Sequence, residues 1–419
     1  MALQIEQLVS KVDPQIDAFK KQFRIDRATR LLAANSDGNE VGFIDVVMEG
    51  GGVKGIATAG ALYTLEKLGF RFRKVAGTSA GAICAALVIA AGKDALDTKS
   101  DVIIKILSNM DFYSFVDGGS DAKALLNSYN EAGEEGFFKN ILHSMRKGIS
   151  IIRNINDLVG DLGINPGNEF KAFITNKMES LNDYVPFTVS ELKKKLERHL
   201  PRLNGEYQIK NNFTPQDFEA DFQVVVTDVS YRRKTIFPRE SEYYFHDPDQ
   251  ILVGDFVRAS MSIPIFFEPF RMLDFSTSKE NLKAPAHVLF VDGGLISNFP
   301  LSIFDRAGKP RCPTFGLLID ENRGKKPQPI KVDNLFELGL GMFDTTMEYG
   351  DKAYIQENPH ARARIFHITN VVESGKQIKT TEFDLEDADK ISLFENGVRA
   401  VLDKLKTWDF EEYIQKYRS

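Results

Sequence analysis

Two cysteines, one tryptophan and six histidines are all that the 419 residues contain of those types, and each shortage narrows what the chain can be. Cys84 and Cys312 give no disulfide framework, which fits a reducing compartment. Cys84 also sits in an apolar helical run, where a free thiol behaves as a small hydrophobe. No apolar run approaches the roughly 18 residues that cross a bilayer; the most apolar stretch is Ala80 to Ala91. The opening residues Met1 to Glu6 lack the basic-then-apolar order of a signal peptide, and alanine at the second position rules out myristoylation. These absences predict a cytoplasmic protein, soluble as made, with peripheral membrane contact and export without a cleaved signal left open. A net charge of −6 speaks against a nucleic-acid partner. His, Cys, Asp and Glu nowhere cluster at metal-ligand spacing, so no cofactor is expected.

What the chain does have is concentrated between Ile44 and Gly81. An apolar run ends in Gly50-Gly51-Gly52, a helical pattern follows, and a second apolar run turns at Gly77-Thr78-Ser79-Ala80-Gly81. Gly-x-Ser-x-Gly suits a strained strand-to-helix turn that projects a serine oxygen from the top of a sheet, where larger flanking residues would strike backbone. Ser79 is therefore the candidate nucleophile. Attack on an ester carbonyl creates an oxyanion that needs fixed donors. The bare N–H groups of Gly50, Gly51 and Gly52, beside a helix N-terminus, and that of Ala80 are the candidates.

Two rival readings of the glycine loop fail on their own terms. Gly50-x-Gly52-x-x-Gly55 fits a dinucleotide fingerprint, but that motif needs an acid about 20 positions later to hold a ribose. Val75-Ala76-Gly77 stands there. A P-loop closes on Gly-Lys-Ser/Thr, and Lys54-Gly55-Ile56 has the wrong order.

For a base, a triad would use a histidine after a late strand. His360 and His367 are so placed, but Arg364 to Thr369 reads as strand interior, where a histidine is usually packed. Asp292 suits better: a strand from His287 delivers it onto a loop that Gly293 and Gly294 keep open, where a carboxylate can take the serine proton directly. Asp117-Gly118-Gly119 is a decoy without a buried strand before it and reads as a turn. Asp228 ends the apolar run Asp221 to Val229 with no glycine loop behind it, which predicts a structural role.

Gly-Gly-Gly-x-Lys-Gly, Gly-Thr-Ser-Ala-Gly and Asp-Gly-Gly, in that order, resemble the patatin-like phospholipase family. The likeness extends to Arg258-Ala-Ser-Met-Ser-Ile-Pro264 and to Asn298 and Pro300, and covers roughly residues 44–320. It implies an α/β fold, a three-layer sandwich with a mostly parallel central sheet. It also implies a Ser79–Asp292 dyad without histidine that releases fatty acids from glycerophospholipids. Acyl transfer or thioester cleavage by the same dyad, and lipid or partner binding without turnover, are the alternatives. A protein activator is compatible with the resemblance but unidentified by it. The family usually has aspartate and arginine where this chain has Glu49 and Lys54, and lysine lacks the bidentate fork. Lys54, Gly77, Gly81, Gly293 and Gly294 are read as supporting residues.

Around this core, residues 1–40 are expected to form an N-terminal helical segment. Within it a helix is expected from Asp13 as N-cap and Pro14 at its first position, with Ile16, Phe19 and Phe23 on one face. Basic residues crowd the rest, either solvated or lying on a membrane. Residues 41–93 and 216–320 form the catalytic core, 94–215 a helical insertion that could act as a lid, and 321–419 an α/β and helical extension. Within the insertion Phe137 to Ile155 reads as a basic amphipathic helix. Ile263 to Phe270, with three Phe and two Pro, excludes a regular helix or central strand and could line an acyl pocket, face lipid or pack as a loop.

Overall fold

The computed structural model describes residues 3–118, 162–273, 287–320, 349–378 and 385–418, together with Val332, Thr345, Thr346 and Glu382. Glu40–Met48 is buried at every position from Val41 onward, the signature of a parallel strand covered on both faces. Ile44, Val46 and Met48 pack into one core, and Val47 joins Ala76 in another on the opposite face. Five strands lie side by side and parallel in the order Ile365–Thr369, Thr314–Asp320, Glu40–Met48, Phe70–Gly77, Asp221–Asp228. His287–Asp292 and Phe270–Leu273 continue the sheet antiparallel. Helices cover the sheet, among them the fully buried Ala80–Ala90. The architecture is the expected three-layer α/β sandwich.

One strand explains how the candidate residues meet. Arg233–Phe237 occupies one edge of Asp221–Asp228 along residues 224–228. Both Phe70–Gly77 and His287–Asp292 must therefore share the other edge. They run toward each other along it, Gly77 opposite Val224 and Asp292 opposite Val226. Two register positions separate their ends, about 7 Å along the strand.

The N-terminal helix differs from the expectation. It spans Ile5–Lys20, opened by a Gln4/Gln7 capping box, with Pro14 in its interior. The buried stripe Leu8, Val12, Ile16 and Phe19 carries the helix through the proline, and tertiary burial outweighs the local penalty. A short helix Ile25–Ala28 and a strand Leu32–Asn35 follow. Part of the basic face is spoken for: Arg27 binds Asp409 at 2.9 Å and Arg30 pairs with Glu411. Tyr207–Ile209, within the segment expected as a helical insertion, also joins the sheet by pairing with Leu32–Asn35. The sheet thus runs past the expected boundaries at residues 40 and 215. Helices Ser100–Ser108, Asn168–Ser180, Val189–Glu197 and His199–Gly205 lie in the described part of the insertion. Ile265–Phe267 forms a two-stranded sheet with Gly163–Asn165. The stretch Phe137 to Ile155, expected as a basic amphipathic helix, lies outside the described residues. No helix among the described residues is long and apolar enough to cross a membrane.

Candidate active site

Ser79 has φ 54° and ψ −124°, a backbone conformation that a side chain rarely adopts and that surrounding structure must enforce. The enforcement is visible. Thr78 N–H donates to Met48 O at 3.4 Å, and Ser79 N–H donates to Ser260 Oγ at 2.9 Å. Ser260 Oγ passes its own proton to Val225 O at 2.7 Å, tying the elbow to the strand that also anchors Asp292. Ser260 belongs to the Arg258 to Pro264 motif, whose role the sequence did not reveal. The turn itself leaves no room: a Cβ at Gly81 would lie 2.2 Å from Met48 O, and one at Gly77 2.2 Å from the Gly81 carbonyl carbon. Gly81→Ala should therefore cost about 1–3 kcal/mol and remove activity. Thermal melts against Gly205→Ala, whose Cβ would meet nothing within 4 Å, check this.

Asp292 arrives from the opposite direction. Its N–H donates to Ser262 O at 2.8 Å, its carbonyl accepts from Thr227 Oγ1 at 3.0 Å, and Oδ1 accepts from Gly294 N–H at 2.7 Å. Gly293 lies against Val225, where a Cβ would be 2.1 Å from the carbonyl oxygen. Oδ2 is buried and accepts no hydrogen bond from the described residues. Burial pushes the Asp292 carboxyl up to about 6, against the Gly294 N–H and the nearby Ser79 hydroxyl, which favour the ionised form. In this state the Ser79 hydroxyl donates to Met261 Sδ at 3.3 Å rather than to Oδ2.

The glycine loop supplies donors, though not from every glycine. Gly50 N–H already donates to Asn298 O at 3.0 Å, and Asn298 Nδ2 returns a bond to Gly50 O at 3.1 Å. Gly50 therefore holds the loop to the Asp292 segment and does not belong among the free donors. The N–H groups of Gly51, Gly52 and Ala80 have no acceptor among the described residues, and Gly52 takes φ +54° as the loop enters the helix Gly55–Lys67. Beneath them Lys54 is buried, its ammonium pulled down to about 8 by desolvation that the charge of Glu49 partly offsets. Glu49 Oε2 in turn accepts Ile319 N–H at 2.6 Å. The two departures from the usual pattern thus face each other, a longer acid against a simpler cation.

The decoys fall away. The Asp117 carboxylate accepts the N–H groups of Gly167, Asn168 and Glu169, at 2.9, 2.7 and 3.2 Å, and so caps the helix Asn168–Ser180. Buried Asp228 accepts from Tyr231 N–H and Tyr244 OH. His360 contacts Tyr354 OH at 3.3 Å. His367 lies on the outer strand Ile365–Thr369, three strand spacings or about 14 Å from the elbow strand. No group of three or more metal-ligating side chains occurs among the described residues.

A family model described as patatin-like phospholipase matches residues 46–305. A Bacillus subtilis (strain 168) protein described as uncharacterized protein YqhO is 27% identical over 369 residues, spanning 88% of this chain and 100% of its own length. Among solved structures, VipD from Legionella pneumophila aligns with 91% of this chain and 70% of its own, at 14% identity and a TM-score of 0.43. ExoU in its complex with SpcU, from the Pseudomonas aeruginosa type III secretion system, aligns with 89% of this chain and 52% of its own, at 17% identity and a TM-score of 0.35.

Proposed function

Because the chain belongs to the patatin-like phospholipase family and so to a class of lipid hydrolases, we propose that it releases fatty acids from glycerophospholipids by a Ser79–Asp292 dyad. The observation that carries this reading is the meeting of two strand ends on one edge of Asp221–Asp228, which brings an elbow serine beside a buried carboxylate. Ser79 Oγ attacks the acyl carbonyl while Asp292 Oδ2 takes its proton. The N–H groups of Gly51, Gly52 and Ala80 hold the oxyanion, two on the glycine loop and one at the start of the elbow helix. Collapse breaks the ester bond, and Asp292 returns the proton to the departing alcohol. Water then loses a proton to the same carboxylate and attacks the acyl-enzyme; the acyl–Oγ bond breaks, Asp292 returns the proton to Ser79 Oγ, and the fatty acid is freed. A carboxylate is a weak base for a hydroxyl, and burial strengthens it.

Fatty-acid release from phospholipid liposomes by wild type, Ser79→Ala and Asp292→Asn tests the proposal. Release by wild type alone is the expected result. Release that survives in Ser79→Ala would remove the nucleophile assignment. Transfer of the acyl group to an added alcohol in preference to water would turn the reading to an acyltransferase.

A further inference from the structure

A cavity of about 340 Å³ opens away from the dyad, and among its lining residues seven cations stand against three carboxylates. Its floor is one row of the sheet. Thr314, Asp45, Lys74 and Asp221 are successive register partners across four parallel strands, and all four line the space. The catalytic ends lie three residues further along the strands, Lys74 to Gly77, which is about 10 Å. A ligand here does not enter the catalytic centre.

The row carries a device that a plain strand lacks. The register between Glu40–Met48 and Phe70–Gly77 shifts at Ile44/Asp45, pairing Ile44 with Phe72 and Asp45 with Lys74. Arg73 is the extra residue of a β-bulge. In a regular strand neighbours point to opposite faces; a bulge re-aims one of them. Here both Arg73 and Lys74 line the cavity.

The charges do not cancel. Arg73 is bound at both ends of its fork by Asp45, at 2.8 and 2.6 Å, Arg364 by Asp305, both at 2.6 Å, and Arg311 by Asp217 at 2.7 Å. Lys74, Arg239, Arg306 and Arg418 also line the cavity, and none of them closes a direct ion pair among the described residues. One further carboxylate, Asp221, lines the cavity with its charge set against Lys74 and Arg239, and burial raises its pKa, which weakens its opposition at low pH. The four come from different segments: a strand, the turn after Arg233–Phe237, the loop after Pro300 and the end of the last helix. Arg418 Nη2 donates to Arg306 O at 2.8 Å, fixing two of those segments together.

We infer that this cavity binds a compact anion carrying at least two phosphate groups. One phosphate engages one or two guanidinium forks, whereas four cations spread around a space of ligand size match charge spread likewise. Arginine at three of the four positions favours phosphate oxygens over a lone carboxylate. The shared chemistry is a polyphosphorylated group, either free in solution or on a lipid headgroup.

The test uses the full chain with Ser79→Ala, so that hydrolysis cannot confuse the reading. The probes are inorganic pyrophosphate, inositol hexakisphosphate, and phosphatidylcholine vesicles with and without phosphatidylinositol bisphosphate. Sodium chloride at matched ionic strength is the control. Calorimetry or thermal shift should show saturable binding of at least one phosphate probe. Arg239→Ala with Arg306→Ala, both on exposed side chains, should weaken it about tenfold or more, and Asp221→Asn should strengthen it. Binding of the soluble probes identifies a free ligand. Binding confined to bisphosphate vesicles and lost in the double variant identifies a headgroup. The inference is overturned if no probe binds beyond the salt control, or if the double variant binds as wild type does. Neither result bears on Ser79 or Asp292.

Discussion

Asp292→Asn is expected to remove turnover and, above pH 6, to make the protein more stable than the wild type. The first half follows from the loss of the buried carboxylate beside Ser79, and losing a general base costs about 10²–10⁴-fold in rate. The second follows from the direction of its titration. Burial raises the Asp292 pKa from 3.8 to about 6, so the folded state holds this proton more tightly than the unfolded chain. Stability from the neutral acid is complete below pH 3.8, declines as pH rises from there through 6, and is absent above. The ionised form costs up to about 3 kcal/mol there. Asparagine never ionises and can keep the Gly294 N–H bond. The gap in melting temperature between variant and wild type should be near zero at pH 4 and grow to about 3 °C at pH 7. Wild-type kcat/KM should rise through pH 6 and then level. A gap that does not change between pH 4 and 7 would refute the buried-base account even if activity is lost.

Arg258→Ala is expected to be the most destabilising single change, by about 3–5 kcal/mol. Arg258 is 2% exposed and donates to Gly167 O at 3.0 Å, Pro166 O at 2.7 Å, Glu268 O at 3.2 Å and Ser262 Oγ at 2.6 Å. Its guanidinium also stacks over the Phe267 ring, 4.9 Å from the centroid. Truncation takes this donor from Pro166 O and Glu268 O in the interior, while Gly167 O keeps Lys171 N–H and Ser262 Oγ keeps the carbonyl of residue 258. Arg258→Lys restores charge but not the fork, so it should recover only a fraction. The damage reaches chemistry because Asp292 N–H rests on Ser262 O. At temperatures where the variant is folded, kcat/KM should fall about tenfold or more through misplacement of the base. Urea unfolding and activity at low temperature separate the two effects. A loss below 1 kcal/mol would mean that water replaces the guanidinium at little cost.

The elbow at Ser79 and the strand end at Asp292 were legible because each sits at the end of an apolar run where glycine opens the backbone, and that pattern is local. What escaped was non-local or too short. Pro14 read as a helix start because the residues that carry the helix across it are buried by segments far along the chain. Tyr207–Ile209 is three residues and has no period to detect. The Gly50 N–H looked free until Asn298, remote in sequence, came to meet it. Arg258, which bonds to loops before and after it, looks from sequence like any helix cation. The cationic cavity draws its lining from scattered segments and an irregular register, neither of which sequence spacing records.

The shared edge of Asp221–Asp228 has an evolutionary consequence. The strand ends that carry Ser79 and Asp292 are indexed two rungs apart on a single strand, so the lengths of chain looping out between them do not enter their separation. Insertions after the elbow helix, or between Asp228 and His287, can grow, shrink or be exchanged at a closure cost that rises only slowly with length. Selection can therefore remodel what surrounds the serine, and with it the choice of lipid, while the chemistry stays in place.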